Sequence, residues 1–357
     1  MRAGKSLPGR PDDLTDSPEL SVALADALNS ETMDVLSELL KVVRLDSAIF
    51  FNCEFSAPWC YRAPEAECAA RLLSQDGRHV IIYHLLVRGR AYVHLQDGDR
   101  VSLQAGDIVT LPHGHAHFLG NGDGGAVIDG ATALPRLMAR GLDLIRVGGG
   151  GEPSLFVCGF LSCDAQLARS FLQGLPPVFK VNIREDPSGQ WLENSLRFAV
   201  DEAVAARPGA STMLAKLSEV VFMETVRRYV AGLPETETGW LAGARDPAVG
   251  QALFLIHQRP GHPWTMPALA QEVGVSRSVL AERFRHYLGQ PPIAYLTKWR
   301  LQLGARALAS TNRSVAEIAS DVGYDTEASF NRAFKRHFQS PPARYRTASR
   351  QSSARAN

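Results

Sequence analysis

Leu269-Ala270-Gln271-Glu272-Val273-Gly274, followed by Leu280 and Phe284, returns 49 to 50 residues later as Ile318-Ala319-Ser320-Asp321-Val322-Gly323, followed by Phe330 and Phe334. Each copy begins as a short helix with one apolar face, Leu269/Val273 or Ile318/Val322, and stops at a glycine that can take the positive φ of a tight turn. After the turn, Ser276 in the first copy and Asp325 or Thr326 in the second can cap the next helix by accepting from its first-turn amides. That helix carries Leu280/Phe284 or Phe330/Phe334 at i and i+4, so one face packs inward and the opposite face is left for a major groove. Two tandem helix-turn-helix units, and a double-stranded DNA partner, are the expectation.

The free face of the first of these helices presents Arg277, Ser278, Ala281, Glu282 and Arg285; that of the second presents Glu327, Ala328, Ser329, Arg332, Lys335 and Arg336. Arg pairs best with guanine, Glu with a cytosine amino group, and Ser and Lys reach bases or phosphates, which makes these the candidate DNA contacts. Charge supports them. The 357-residue chain carries a net +1, yet from Asp246 onward there are 15 Lys and Arg against 7 Asp and Glu, a net +8 that leaves −7 on residues 1–245. A basic end coinciding with the duplicated units suits phosphate neutralisation and argues against a plain helical bundle.

The last hundred or so residues resemble the DNA-binding region of the AraC/XylS transcription regulators. The likeness is carried by a long helix from Pro292 to about residue 309, containing Tyr295-Leu296-Thr297-Lys298-Trp299-Arg300-Leu301, between the two units. It is carried also by Pro291-Pro292 and Pro341-Pro342, 50 residues apart, and by the segment from Ala316 through Gly323-Tyr324, Phe330 and Arg332-Ala333-Phe334-Lys335-Arg336 to Tyr345. The resemblance implies a sequence-specific regulator, more an activator than a repressor, that works with RNA polymerase and binds two-fold sites as a homodimer.

The acidic part alternates short β-rich runs with glycine turns: residues 80–87, 91–95 and 101–103, separated by Arg88-Gly89-Arg90 and Asp97-Gly98-Asp99. An antiparallel β-barrel is the expected fold. The stretch from Gly106-Asp107 through Pro112-His113-Gly114-His115-Ala116-His117 to Asn121 resembles the second cupin motif at Gly106, Pro112, Gly114, His117 and Asn121. In cupin enzymes a first motif adds two His and a Glu as metal ligands; here Ile82 stands where that Glu would be. The chain is therefore not expected to be an enzyme, the competing class being a cupin metalloenzyme with an accessory DNA-binding domain. His84, His117 and Cys158 are the candidate metal donors, zinc being the ion that suits imidazole and thiolate. A hydrogen-bonded interior role for these histidines is the plainer alternative.

A finer resemblance is to the AraC subgroup that includes a reactive-chlorine-responsive activator, carried by Asn52-Cys53, His84, the stretch 112–117 and Val157-Cys158-Gly159. It implies an oxidant switch with Cys53 and Cys158 as sensing thiols. The same cysteines, flanked by Phe51/Phe55 and Phe156/Phe160, also fit buried small hydrophobes. A third possibility keeps the DNA function and gives the barrel a small-molecule effector, with Phe51, Tyr83, Tyr92 and Phe118 as candidate lining. Five cysteines without a Cys-x-x-Cys pair, and no apolar stretch long enough for a span, lead to the expectation of a cytoplasmic protein with no membrane partner.

The expected organisation is α+β: a disordered tail over 1–30, a cupin sensor over 31–170 that starts with a helix at 33–42, and a helical linker and dimerisation region over 171–245. An all-α DNA-binding domain follows over 246–347, then a disordered tail over 348–357. Within the linker, helices are expected at 191–206 and 214–233, and a Gly/Pro/Glu-rich break at 234–243. His257, His262 and Trp264 are expected to pack at the entrance to the DNA-binding region.

Overall fold

The computed structural model describes residues 35–38, 45–73, 78–140, 142–164 and 171–356. The expected tail over 1–30 lies outside the described residues, as does most of the helix expected at 33–42, of which 35–38 are helical.

The β-rich part forms two sheets. The larger has the order β11 (Phe179–Asn182), β6 (Asp107–Leu111), β3 (His79–Arg88), β10 (Pro153–Cys163), β1 (Asp46–Ser56) and β9 (Ile145–Gly148). The smaller runs β5 (Val101–Gln104), β4 (Arg90–Leu95), β7 (His117–Asn121), β2 (Trp59–Arg62) and β8 (Val127–Asp129). Pairing is antiparallel except for β1 with β9 and β2 with β8. Side chains, not a closed ring of backbone hydrogen bonds, join the sheets: Cys53, Ile82, Leu86, Val109 and Cys158 of one share a core with Trp59, Tyr61, Val93 and Leu119 of the other. The expected barrel is thus a pair of facing sheets among the described residues. Two short helices, α1 (Ala66–Leu72) and α2 (Gly130–Met138), flank them.

Residues 80–87 are buried without a break because β3 is covered on both faces. The five-stranded sheet covers one. On the other, Ile81, Tyr83 and Leu85 share a core with Leu192 and Leu196 of α3 (Pro187–Val204) and Val221 and Phe222 of α4 (Ala210–Ala231). Asp186 caps α3 by accepting from the Gly189 amide at 2.9 Å. Arg184 anchors the same helix, donating from Nε to Glu193 at 2.7 Å and from Nη2 to the Val87 carbonyl at 2.7 Å. The expected linker over 171–245 needs correcting, because residues 179–182 are strand β11, hydrogen-bonded to β6. Four residues are too short a run to announce their period.

Helix α5 (Trp240–Arg245) arises inside the expected 234–243 break, and its Trp240 and Leu241 join the core that holds the first helix-turn-helix unit. Beyond it run α6 (Pro247–Gln258), α7 (Met266–Val273), α8 (Arg277–Leu288), α9 (Pro292–Ser310), α10 (Val315–Asp321), α11 (Glu327–Phe338) and α12 (Pro342–Ala356). Where a tail was expected over 348–357, α12 runs to Ala356 and residue 357 lies outside the described residues; Arg350 donates to the carbonyl of Thr311 and the side chain of Asn312.

One apolar core runs from the larger sheet through α3 and α4 to Trp240, Leu253, Leu269, Phe284, Tyr295 and Trp299. The second unit has a core of its own, built from Leu301, Leu308, Ile318, Phe330 and Phe334 among others. Among the described residues, no helix is long and apolar enough to cross a membrane.

Candidate nucleic-acid interface and sensor core

Both helix-turn-helix units form as their local chemistry dictates. Gly274 and Gly323 take φ of +74° and +84° at the turns. Ser276 accepts from the Val279 amide at 3.3 Å, and of the two caps considered for the second unit it is Thr326 that accepts, from Ser329, at 3.1 Å. Ser314 and Glu317 add a reciprocal capping box to α10.

Helices α8 and α11 are each 12 residues long and start 50 residues apart. Position by position, Arg277 matches Glu327, Ser278 Ala328, Ala281 Asn331, Glu282 Arg332, Arg285 Lys335 and His286 Arg336. Arg277, Ser278, Glu282, Arg285, Glu327, Ala328, Arg332, Lys335 and Arg336 are all exposed; Ala281 and Ser329 are half-buried. Ser329 directs its hydroxyl to the Thr326 carbonyl at 2.7 Å, and its counterpart is Val279, so it stands at the margin of the face. Asn331 and His286 belong to the same face. Sequence reasoning passed them over, though the 50-residue register would have found both.

A further missed residue is Arg300, in the middle of α9. Its guanidinium donates from Nε to Pro260 O at 2.7 Å, from Nη1 to Gly323 O at 3.0 Å and from Nη2 to His262 O at 2.7 Å. It ties the loop ahead of the first unit to the turn of the second. A Cβ on Gly323 would lie 2.7 Å from Arg300 Nη2 and 2.8 Å from Gly261 O, so glycine is needed there for space as well as for φ. His262 and Trp264 pack beside this loop, ring centroids 4.3 Å apart. His257 is buried and shares the Tyr295 hydroxyl, at 2.8 Å, with Trp240 Nε1, at 2.9 Å.

Between the sheets, His84, His117 and Cys158 come together in a line. Cys158 lies directly across from His84 in the β3–β10 register, and His117 reaches in from the smaller sheet. His117 Nδ1 stands 2.8 Å from the His115 carbonyl, which only accepts, so Nδ1 carries the proton and Nε2 is an acceptor. His84 Nε2, 2.9 Å away, must then donate to His117 Nε2, and the Cys158 thiol donates to His84 Nδ1 at 2.8 Å. Each polar atom of the line is satisfied while all three groups are neutral. This geometry does not suit the zinc site considered from sequence. His84 faces His117 with one nitrogen and Cys158 with the other, so one ion cannot reach all three. Among the described residues, no group of three or more His, Cys, Asp or Glu side chains is placed to hold a metal.

Burial sets the protonation of these groups. His84 is held well below the ordinary imidazole range by burial and then by His117; burial brings His117 down to about 4 and His257 to about 3. The unfolded chain takes up protons at these rings below about pH 6.5, while the folded chain does not until far lower. Stability is therefore expected to be intact above pH 6.5 and to fall as pH drops towards 4, by about 1.4 kcal/mol per ring for each unit of separation. Denaturation curves across that range check it; equal midpoints at pH 7 and pH 5 would show that the rings are not neutral and buried.

Burial likewise pushes the Cys53 thiol up to about 12 and raises Cys158 well above the ordinary range. Cys60 and Cys68 are half-buried. Of the suggested lining aromatics, Tyr83 points away from the inter-sheet core, bonding Ser218 on α4 at 2.7 Å. Tyr92 and Phe118 are half-buried on the smaller sheet, under Arg100 at 4.2 Å and against His94 at 4.9 Å. The Phe51 side chain lies outside the described residues.

Comparison with known proteins gives two domain families: cupin over residues 34–231 and helix-turn-helix domain over 269–348. The chain is 30% identical over 316 residues to the HTH-type transcriptional regulator AlkR of Acinetobacter baylyi, covering 88% of this chain and 99% of that protein. It is 30% identical over 320 residues to the RCS-specific HTH-type transcriptional activator RclR of Escherichia coli, covering 89% and 99%. A Streptomyces lividans regulator named for its likeness to AraC is 31% identical over 316 residues, covering 88% and 98%.

Proposed function

Since the chain belongs to the AraC family of cupin-bearing helix-turn-helix transcription regulators, and is no enzyme, we propose that it reads its operator through α8 and α11 and is switched by a small-molecule effector at the cupin domain. The observation that carries the DNA reading is the matched pair of 12-residue helices, 50 residues apart, each with a capped start, a buried apolar pair at i and i+4 (Leu280/Phe284 and Phe330/Phe334) and an exposed polar face. On this reading Arg277, Ser278, Ala281, Glu282, Arg285, Glu327, Ala328, Ser329, Arg332, Lys335 and Arg336 contact double-stranded DNA, with Asn331 and His286 beside them.

The protein acts in the cytoplasm as an activator that contacts RNA polymerase. It works as a homodimer, the pairing face being the outer side of α3, where Trp191 and Phe198, seven residues apart, are 64% and 57% exposed. A small molecule is favoured over an oxidant acting at Cys53 and Cys158, because a thiol reacts as its thiolate and both thiols are buried and raised.

Arg277→Ala and Arg332→Ala test the DNA face. Both side chains are exposed, so the fold is expected to survive and specific binding to weaken by about 1–3 kcal/mol each, with relaxed base preference at one position. Footprints identical to that of the parent for both variants would mean that the recognition faces lie elsewhere.

A further inference from the structure

The 50-residue offset that relates α8 to α11 keeps charge at some positions of the outward face and reverses it at others. Arg285 and Lys335 match in sign, whereas Arg277 stands where α11 has Glu327, and Glu282 where α11 has Arg332. The second reversal lies in the middle of the face. Glu282 and Arg332 each follow the first buried residue of their helix, Leu280 or Phe330, by two positions, about 200° round a 3.6-residue turn. Both are exposed. Among the described residues, neither is taken up by a hydrogen bond or an ion pair. The cation beside Glu282 is spent elsewhere: Arg283 donates to Asp246 at 3.1 Å, which leaves both Glu282 oxygens to accept from a ligand.

A carboxylate in the middle of a face turned to DNA is repelled by every phosphate it nears. It is compensated where it accepts from the amino group of cytosine, while a guanidinium at the same place donates twice to guanine. A C·G pair offers both edges in the major groove, one from each strand, so exchanging Glu for Arg at a matched position turns the preferred pair over. We propose that the operator is polar: α8 selects cytosine through Glu282 where α11, at the matched position of its own segment, selects guanine through Arg332, so the two segments are not repeats of one sequence. This rests on the reading of α8 and α11 as the recognition helices. The sign-matched pair Arg285 and Lys335 then holds phosphates in both segments and carries no sequence information. Glu327 stays outside the assignment, because its carboxylate accepts from Asn331 at 3.4 Å on its own helix and an acid in the first turn suits the helix dipole. A polar operator fixes which end of the bound chain faces a neighbour on DNA, a choice that two like units reading one repeated segment would leave open.

Selection from duplexes randomised over about two helical turns tests this, with the full-length protein, Glu282→Arg, Arg332→Glu and the double variant. The parent is expected to select two unlike segments. Glu282→Arg should change one base pair, in the segment read by α8, from cytosine to guanine, with discrimination of about fivefold or more, and the double variant should prefer the two pairs exchanged. Truncation gives effects of opposite sign, which a merely structural residue would not produce. Glu282→Ala should bind unselected DNA more tightly than the parent while losing preference at its base pair; Arg332→Ala should bind both kinds of DNA more weakly. The same base at the two matched positions of the parent's site, or an unchanged selection by Glu282→Arg, overturns the proposal and leaves the recognition helices standing. Selection of no sequence at all by the parent would remove both.

Discussion

Phe334→Ala is expected to unfold the second helix-turn-helix unit while leaving the cupin domain and the first unit folded. Phe334 is fully buried, with Phe338, Phe330 and Tyr345 rings centred 4.5, 5.3 and 5.3 Å away. Deleting a buried phenyl ring costs about 3–5 kcal/mol. The core it sits in is small and separate from the large one that runs from the sheets to Trp299, so few other contacts can absorb the loss. Hydrogen exchange should show protection lost across α10 to α12 and kept in α6 to α8, and the DNA footprint should shrink to the part read by the first unit. Uniform loss of protection through the whole chain would show that the two cores fold as one.

Arg300→Met is expected to loosen the spacing between the two units and not the units themselves. The side chain keeps its volume, but three carbonyls, on Pro260, His262 and Gly323, lose a charged donor. A hydrogen bond to a charged group contributes about 1.5–3 kcal/mol, and the half-buried position puts this one towards the lower end. The functional effect should exceed the effect on stability. Two recognition helices that read one face of DNA must stand about one helical turn, ~34 Å, apart, and the Arg300 clamp is what holds the second turn against the loop ahead of the first. The parent should lose most of its affinity when one base pair is inserted between the two contacted segments; Arg300→Met should lose much less. Equal discrimination by the two proteins would leave α9 alone as the spacer.

The legibility of this chain follows the range of the contacts involved. Helix caps, turn glycines and the apolar pairs Leu280/Phe284 and Phe330/Phe334 act within one helix-turn-helix unit, so the DNA-binding units could be read with their registers, down to the choice of Ser276 as a cap. The four-residue strand β11 and the six-residue helix α5 were missed because each is shorter than the window in which periodicity shows. The C-terminal stretch expected as a tail differs for another reason: α12 is a polar helix, and Arg350 donates to Thr311, 39 residues earlier, a contact that no local pattern announces.

His84, His117 and Cys158 show both sides at once. From sequence they were a set of donors with the right chemistry for a metal, and chemistry alone was all that sequence offered. Only the pairing of β3 with β10, and the facing of two sheets, decided that His84 presents opposite nitrogens to its two partners and that the thiol is buried. What the sequence determined by itself was the duplicated DNA-binding region and its cupin partner, because those patterns are local or repeat at a constant offset. Tertiary structure alone decided how they are joined. The Arg300 clamp spans 40 residues to Pro260, the His113–Leu175 bond 62 and the Trp240–Tyr295 bond 55, and no periodicity in a chain encodes which distant carbonyl a given donor will meet.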